Sequence, residues 1–370
     1  MGLGKRIISA DAGGVVGTEH FNPYTYTGNG STQAFSNVGF RPDWVWIKPR
    51  ETTTNHGAYD SIRGASQYLA PDVNGAGVSL APNGVTAFGS GGFTVVDDSG
   101  GNNNANGAPG GANSGTNATY IAWVWRAGGA PTATNSGGSS PTSGSVMIDG
   151  VASSASLSGS NPPKKLSANT VSGFSIVQAT ATSASSSTID HGLTVAPELI
   201  IEKNFSNVDS WNTFVSALGN TKALFLDTDA LPSTNSSFWN NTSPTSDVFT
   251  VASRTNAENY IYYCFHSVAG YQKIGTYTGN NSTSNVVTTG FQPRFLLLKK
   301  TTGSTGDWKI IDSGRSSSNP RDKALEASSN GIEDSGSNFN VNFNSNDFTI
   351  ATTNVEYNDD GETYIYLAIA

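Results

Sequence analysis

The side chains most able to do chemistry are few, and their spacing assembles no familiar catalytic set. Four histidines stand at positions 20, 56, 191 and 266, and the single cysteine is Cys264. Cys264-Phe265-His266 offers two ligands, with no others nearby at the spacing a zinc site uses. Cys264 lies inside the apolar run from Tyr260 to Phe265 and reads as a buried structural thiol. His191 reads as a turn residue ahead of a strand. No Gly-x-Ser-x-Gly elbow, phosphate loop or dinucleotide fingerprint occurs in context, because the Gly-rich stretches do not join a strand to a helix.

Glycosidases need only two carboxylates, and the candidates are Asp97-Asp98, Asp227 with Asp229, and Asp359-Asp360. All fall among Asn, Ser, Thr or Gly neighbours, as solvated turn residues do. The reading is therefore a non-enzyme with no catalytic residue, no bound metal and no cofactor. A structural calcium ion is the one option such loops leave open. Trp44 with Trp46, and Trp123 with Trp125, form Trp-x-Trp pairs that point to one face of a strand and would fill a sandwich core. Trp211, Trp239 and Trp308 have less regular surroundings and are the candidates for an exposed glycan-stacking platform.

Composition narrows the class further. Only 13% of the 370 residues are charged, so Ser, Thr, Asn and Gly must cover most of the surface. The net charge is −8, and no Lys/Arg cluster exceeds a pair, as at Lys164-Lys165. A phosphate-neutralising stripe is absent, which argues against nucleic acid as a partner. No stretch approaches 18 apolar residues, so no membrane insertion is expected. The start, Met1 to Ile8, lacks the apolar core of a secretory signal.

The elements that would position these residues come in three copies. Tyr26-Thr27-Gly28-Asn29-Gly30-Ser31 precedes Gly39-Phe40-Arg41-Pro42-Asp43-Trp44-Val45-Trp46-Ile47-Lys48. Tyr277-Thr278-Gly279-Asn280-Asn281-Ser282 precedes Gly290-Phe291-Gln292-Pro293-Arg294-Phe295-Leu296-Leu297-Leu298-Lys299. A middle copy keeps Ala196-Pro197-Glu198-Leu199-Ile200-Ile201-Glu202-Lys203. Each copy then reaches a second landmark at Phe93, Phe249 or Phe348, and a third at Tyr120, Tyr260 or Tyr364. The landmarks are short, rich in β-branched and aromatic residues, and bounded by Gly, Asn, Asp and Pro, which predicts strands. Leu296-Leu297-Leu298 is apolar on both faces, as suits a strand covered on each side. Asn29-Gly30 is a hairpin signal. Short helical turns are expected at Ser66 to Leu69, Lys222 to Leu226 and Asp322 to Ala327.

The predicted architecture is all-β: three tandem β-sandwich modules of jelly-roll type with minor short helices. Residues 1–22 form an N-terminal arm, 23–127 module one, 128–169 a Gly/Ser/Pro-rich linker, 170–270 module two and 271–370 module three. The loop from Asp97 to Asn117 is Gly/Asn-rich and lies within module one.

These repeats resemble an uncharacterised repeat domain of marine and cyanobacterial phage virion proteins, tail-fibre-like proteins among them. The likeness runs in order from about Tyr24 to Ala370 and includes Asp60-Ser61-Ile62-Arg63-Gly64, Leu218-Gly219-Asn220-Thr221-Lys222 and Phe238-Trp239-Asn240-Asn241-Thr242. It implies a bacteriophage virion structural protein, a tail fibre or similar appendage that recognises a host-surface glycan. A capsid decoration or head-fibre protein and a carbohydrate-binding module are the alternatives. Implied partners are other virion proteins, further copies of the chain in a closed oligomer such as a trimer, and host-surface polysaccharide. The implied location is the virion, assembled in the host cytoplasm. The stretch Asn135 to Lys165 is longer than the family's usual linker, no large attachment domain precedes the repeats, and Gly2 to His20 is the candidate anchor.

Overall fold

Each of the three repeats builds one large sheet, antiparallel apart from the parallel pairing of Val146–Ile148 with Lys165–Asn169, because its strands alternate between two apolar faces. In the computed structural model, which describes residues 15–80, 83–96 and 118–370, module one orders its large sheet as Phe21–Thr27, Thr119–Trp125, Trp44–Pro49 and Gly57–Asp60. Module three repeats that order with Gln272–Thr278, Thr363–Ile369, Phe295–Lys300 and Lys309–Asp312, and continues into Lys323–Glu326 and Asp334–Ser335. Module two uses Phe174–Thr180, Asn259–Phe265, Leu199–Asn204, Asn212–Val215, Lys222–Phe225 and Ser233–Thr234 in the same way. In every module the strand that closes the repeat sits between the first strand and the Pro-led strand. Trp44 pairs with Trp125, Leu199 with Phe265 and Phe295 with Ile369.

A smaller sheet covers one face of each large one, giving a sandwich. These sheets are Gln33–Ala34, Gly92–Val96 and Gly84–Gly89 in module one, and Asn285–Thr288, Asp347–Ile350 and Val341–Phe343 in module three. Module two has only Ser186–Asp190 with Val248–Ala252. The short helix Ser236–Trp239, capped by the Asn235 side chain, packs against Val248–Ala252.

The other face of each large sheet points inward to a core that all three modules share. Trp44, Trp46, Trp123 and Trp125 meet Phe174, Ile201, Tyr263 and Phe265 of module two and Phe295, Leu297, Ile365 and Ile369 of module three. Their alternates Val45, Ile47, Ala122 and Val124 fill the sandwich of module one instead. The modules are thus not beads in tandem. A sheet that is apolar on both faces must be covered twice, and the neighbouring modules supply the second cover. The Trp-x-Trp pairs fill this common centre rather than the interior of a sandwich. Trp44 stacks on Trp125 and on Tyr263, each at 4.3 Å between ring centres.

Three further expectations change. The segment 128–169 is no linker: Val146–Ile148, Val151–Ala152 and Lys165–Asn169 extend the sheet of module two to nine strands. Its small residues permit close approach, since a Cβ on Gly128 would lie 2.3 Å from the Met147 carbonyl oxygen. The three stretches read as helical turns hold strands at Gln67–Tyr68, Lys222–Phe225 and Lys323–Glu326, because ladder partners outweigh weak helix propensity. Asn29-Gly30 turns the chain from the large sheet to the small one rather than closing a hairpin, since Phe21–Thr27 pairs with the closing strand and Gln33–Ala34 with Gly92–Val96. The arm 1–22 is described from Val15, and Phe21 already belongs to the first strand. The candidate anchor before Val15, Asp97-Asp98 and the loop from Asp97 to Asn117 lie outside the described residues.

Candidate functional site

The chemistry-bearing side chains converge on the seams between modules. One residue precedes each strand next to the Pro-led strand: His56, Trp211 and Trp308. Trp211 Nε1 donates to the Ala70 carbonyl of module one at 2.8 Å. Trp308 Nε1 donates to the Phe225 carbonyl of module two at 2.8 Å. His56 Nε2 lies 3.1 Å from the Ser329 carbonyl of module three, which closes the ring. The main-chain N–H groups of these residues are held from their own modules by Asp72 Oδ1, Asp227 Oδ1 and Ser328 Oγ. The contacts thus run around a closed cycle of three.

A lysine occupies the fifth position of each Pro-led strand, and all three are fully buried: Lys48, Lys203 and Lys299. Their ammonium groups donate to main-chain carbonyls. Lys203 reaches Asn74 across one seam at 3.0 Å and Lys299 reaches Asp229 across the next at 2.7 Å. Lys48 instead serves Pro49 and Thr52 of its own module, each at 2.9 Å. Burial pushes all three down to about 8.

The last residue of the strand after each seam residue decides the polarity of a third contact. Asp60 holds Arg63 at 2.6 Å and accepts from Tyr263 of module two at 2.9 Å. Asp312 holds Arg315 at 2.6 Å and accepts from Trp123 Nε1 of module one at 2.9 Å. At the remaining seam the corresponding residues are Val215, Leu218 and Leu367, and Val215 and Leu367 line a small apolar void with Leu297 and Trp308. All three partners are apolar there, and a lone charge buried among them would lack compensation.

The glycan-platform expectation is overturned. Trp211, Trp239 and Trp308 are at most 2% exposed, as are the other four tryptophans. Trp211 and Trp308 are seam residues, and Trp239 packs edge-on against Phe214 inside module two. The surroundings of Trp211 and Trp308 look irregular in sequence because both stand just before a strand, facing a neighbour rather than their own sheet. Two of the paired aspartates, Asp227 and Asp359, are likewise engaged through their carboxylates. Asp227 holds the Trp211 N–H, the Asp229 carbonyl takes Lys299, and Asp359 pairs with Lys300 at 2.6 Å. Among the described residues no group of three or more His, Cys, Asp or Glu is placed to hold a metal ion. His191 is buried, accepts the Leu193 N–H at Nδ1, and burial lowers its pKa to about 4. Cys264 is buried, and burial pushes its thiol far up.

The buried lysines and the Asp–Arg pairs were not singled out from sequence, although the recurrence of Lys48, Lys203 and Lys299 at one repeat position was the available signal. No curated protein matches the chain. One family model, that of a domain of unknown function (DUF7483), matches residues 16–370 and so spans all three modules with their shared core. The chain belongs to the DUF7483 family.

Proposed function

We propose that this protein is a non-enzymatic structural part of a bacteriophage particle, a tail fibre or similar appendage that meets host-surface polysaccharide. One observation carries the reading. Among the described residues, His56, His191, Asp227, Asp359 and the buried Lys203 and Lys299, which could have served a catalytic set, are engaged in holding loops and seams in place. With only 13% of the residues charged, Ser, Thr, Asn and Gly are left to cover most of the surface. The likeness of the repeats to those of phage virion proteins supports the same reading. With the tryptophans withdrawn into the interior, contact with sugar hydroxyls falls to amide and hydroxyl side chains of this surface, through hydrogen bonds rather than stacking. Three modules already surround one core within the chain, so a closed oligomer of further copies, such as a trimer, would form on its outer faces. It is assembled in the host cytoplasm and works with other virion proteins.

Mass spectrometry and immunogold labelling of purified particles test this. Label over the tail, together with competition of host adsorption by the free protein, is the expected result. Label over the head would move the protein to the decoration or head-fibre reading, and absence from particles would end both.

A further inference from the structure

Two seams of the ring are bridged by the chain itself, between modules one and two through residues 126–164 and between two and three through residues 266–271. The seam between modules one and three has no such bridge. It is also the seam where the ring residue is a histidine instead of a tryptophan. Trp46 Nε1 donates to His56 Nδ1 at 2.8 Å. An indole nitrogen can only donate, so Nδ1 carries the lone pair and the ring proton sits on Nε2, facing the Ser329 carbonyl. The ring is fully buried, lies nearly parallel to Trp123 and meets Trp46 edge-on.

We propose that His56 is an acid-sensitive latch: a second proton, forced onto Nδ1 against the Trp46 N–H, parts modules one and three and uncovers the tryptophan-lined face. The surroundings favour this outcome. Lys48 from the Pro-led strand and Arg315 from module three both act on the ring as cations and disfavour a third positive charge. Asp72 engages the His56 main chain, not its ring. Across the seam the Glu326 side chain is held by Lys309, and Glu333 is held by Arg50 at 2.7 Å and by Arg315 at 3.4 Å. Asp312 is held by Arg315 and Trp123. The imidazole meets the main-chain carbonyls of Ser329 and Glu326 across the seam rather than these carboxylates. The other two seams present indoles, which do not titrate.

The sign follows from burial, which together with the two cations holds the ring far below its ordinary 6.5. The closed ring refuses a proton that the opened ring accepts. Each pH unit below 6.5 therefore favours opening by up to about tenfold. Hydrogen–deuterium exchange of the intact chain, corrected for the intrinsic pH dependence, reads this seam by seam. Protection of Gly57–Asp60 and of 328–333 is expected to fall first on acidification, while 212–215 and 363–369 stay protected. His56→Gln keeps an acceptor for Trp46 and a donor for Ser329 but does not titrate, and should lower the opening midpoint by at least one pH unit. Simultaneous loss at all three seams, or first loss at the seam between modules two and three, would overturn the proposal in the natural chain alone. An unshifted midpoint in a folded His56→Gln variant would do the same.

Discussion

Asp72 shows how far a single buried carboxylate can set the pH response of the ring. Its Oδ1 accepts the His56 N–H at 3.0 Å, while Oδ2 is buried without a donor. Burial raises its pKa from 3.8 to about 7. Between those values the folded chain keeps a proton that the unfolded chain has released. The resulting stability is fully present below about pH 4 and is lost as pH rises through 7. Asp72→Asn keeps the acceptor and removes the charge, so the difference in Tm between variant and parent should grow in the variant's favour from pH 4 to 7.5. A difference that stays flat across that range would show that the carboxylate is not ionising there. The same scale holds the clearest misreading of the sequence. Trp211 and Trp308 follow Ser210 and Asp307 in polar loops, and nothing in those neighbours signals that a carbonyl of another module waits for the indole N–H.

Strands were far more legible than side-chain roles. The Pro-led, Phe-led and Tyr-led runs all became strands, because alternation and β-branched content report local burial directly. Segment 128–169 was not legible, since it is tied to module two through its last strand, Lys165–Asn169, and its Ser, Ala and Gly residues carry little periodic signal. Asp149-Gly150, with φ of 51° and 85°, makes the tight turn between Val146–Ile148 and Val151–Ala152. The seams are where elements exchange chemistry, and they offer a test of cooperativity within one contact. Asp60→Val alone strands Arg63 in the interior and is expected to cost about 3–5 kcal/mol. Changing Asp60, Arg63 and Tyr263 together to Val, Leu and Leu copies the seam of Val215, Leu218 and Leu367, and should recover most of that loss. Urea unfolding midpoints measure both. A triple variant no more stable than the single one would show that the two kinds of seam are not interchangeable.

For the whole molecule, the number of repeats was legible and their arrangement was not. The hint lay in Leu296-Leu297-Leu298, apolar on both faces, yet which surface would supply the second cover is a question no single strand answers. A shared centre makes the three modules interdependent. Deleting Thr363 to Ala370 removes the partner of both Gln272–Thr278 and Phe295–Lys300 and part of the cover over the tryptophans of module one. The expected result is loss of the near-ultraviolet dichroism of the whole chain. A cooperative transition surviving in modules one and two would show that they stand without the third.

The placement of the closing strand also bears on synthesis. Each sheet receives its middle strand last, so a ribosome delivers two flanking strands long before the piece that joins them. Until residue 369 has left the exit tunnel, the indole-rich side of the first module has no lasting shelter. Nascent chains of this protein should therefore be held by a chaperone until that last strand is free to pair, and the yield of native material should follow the supply of that helper more than the speed of elongation.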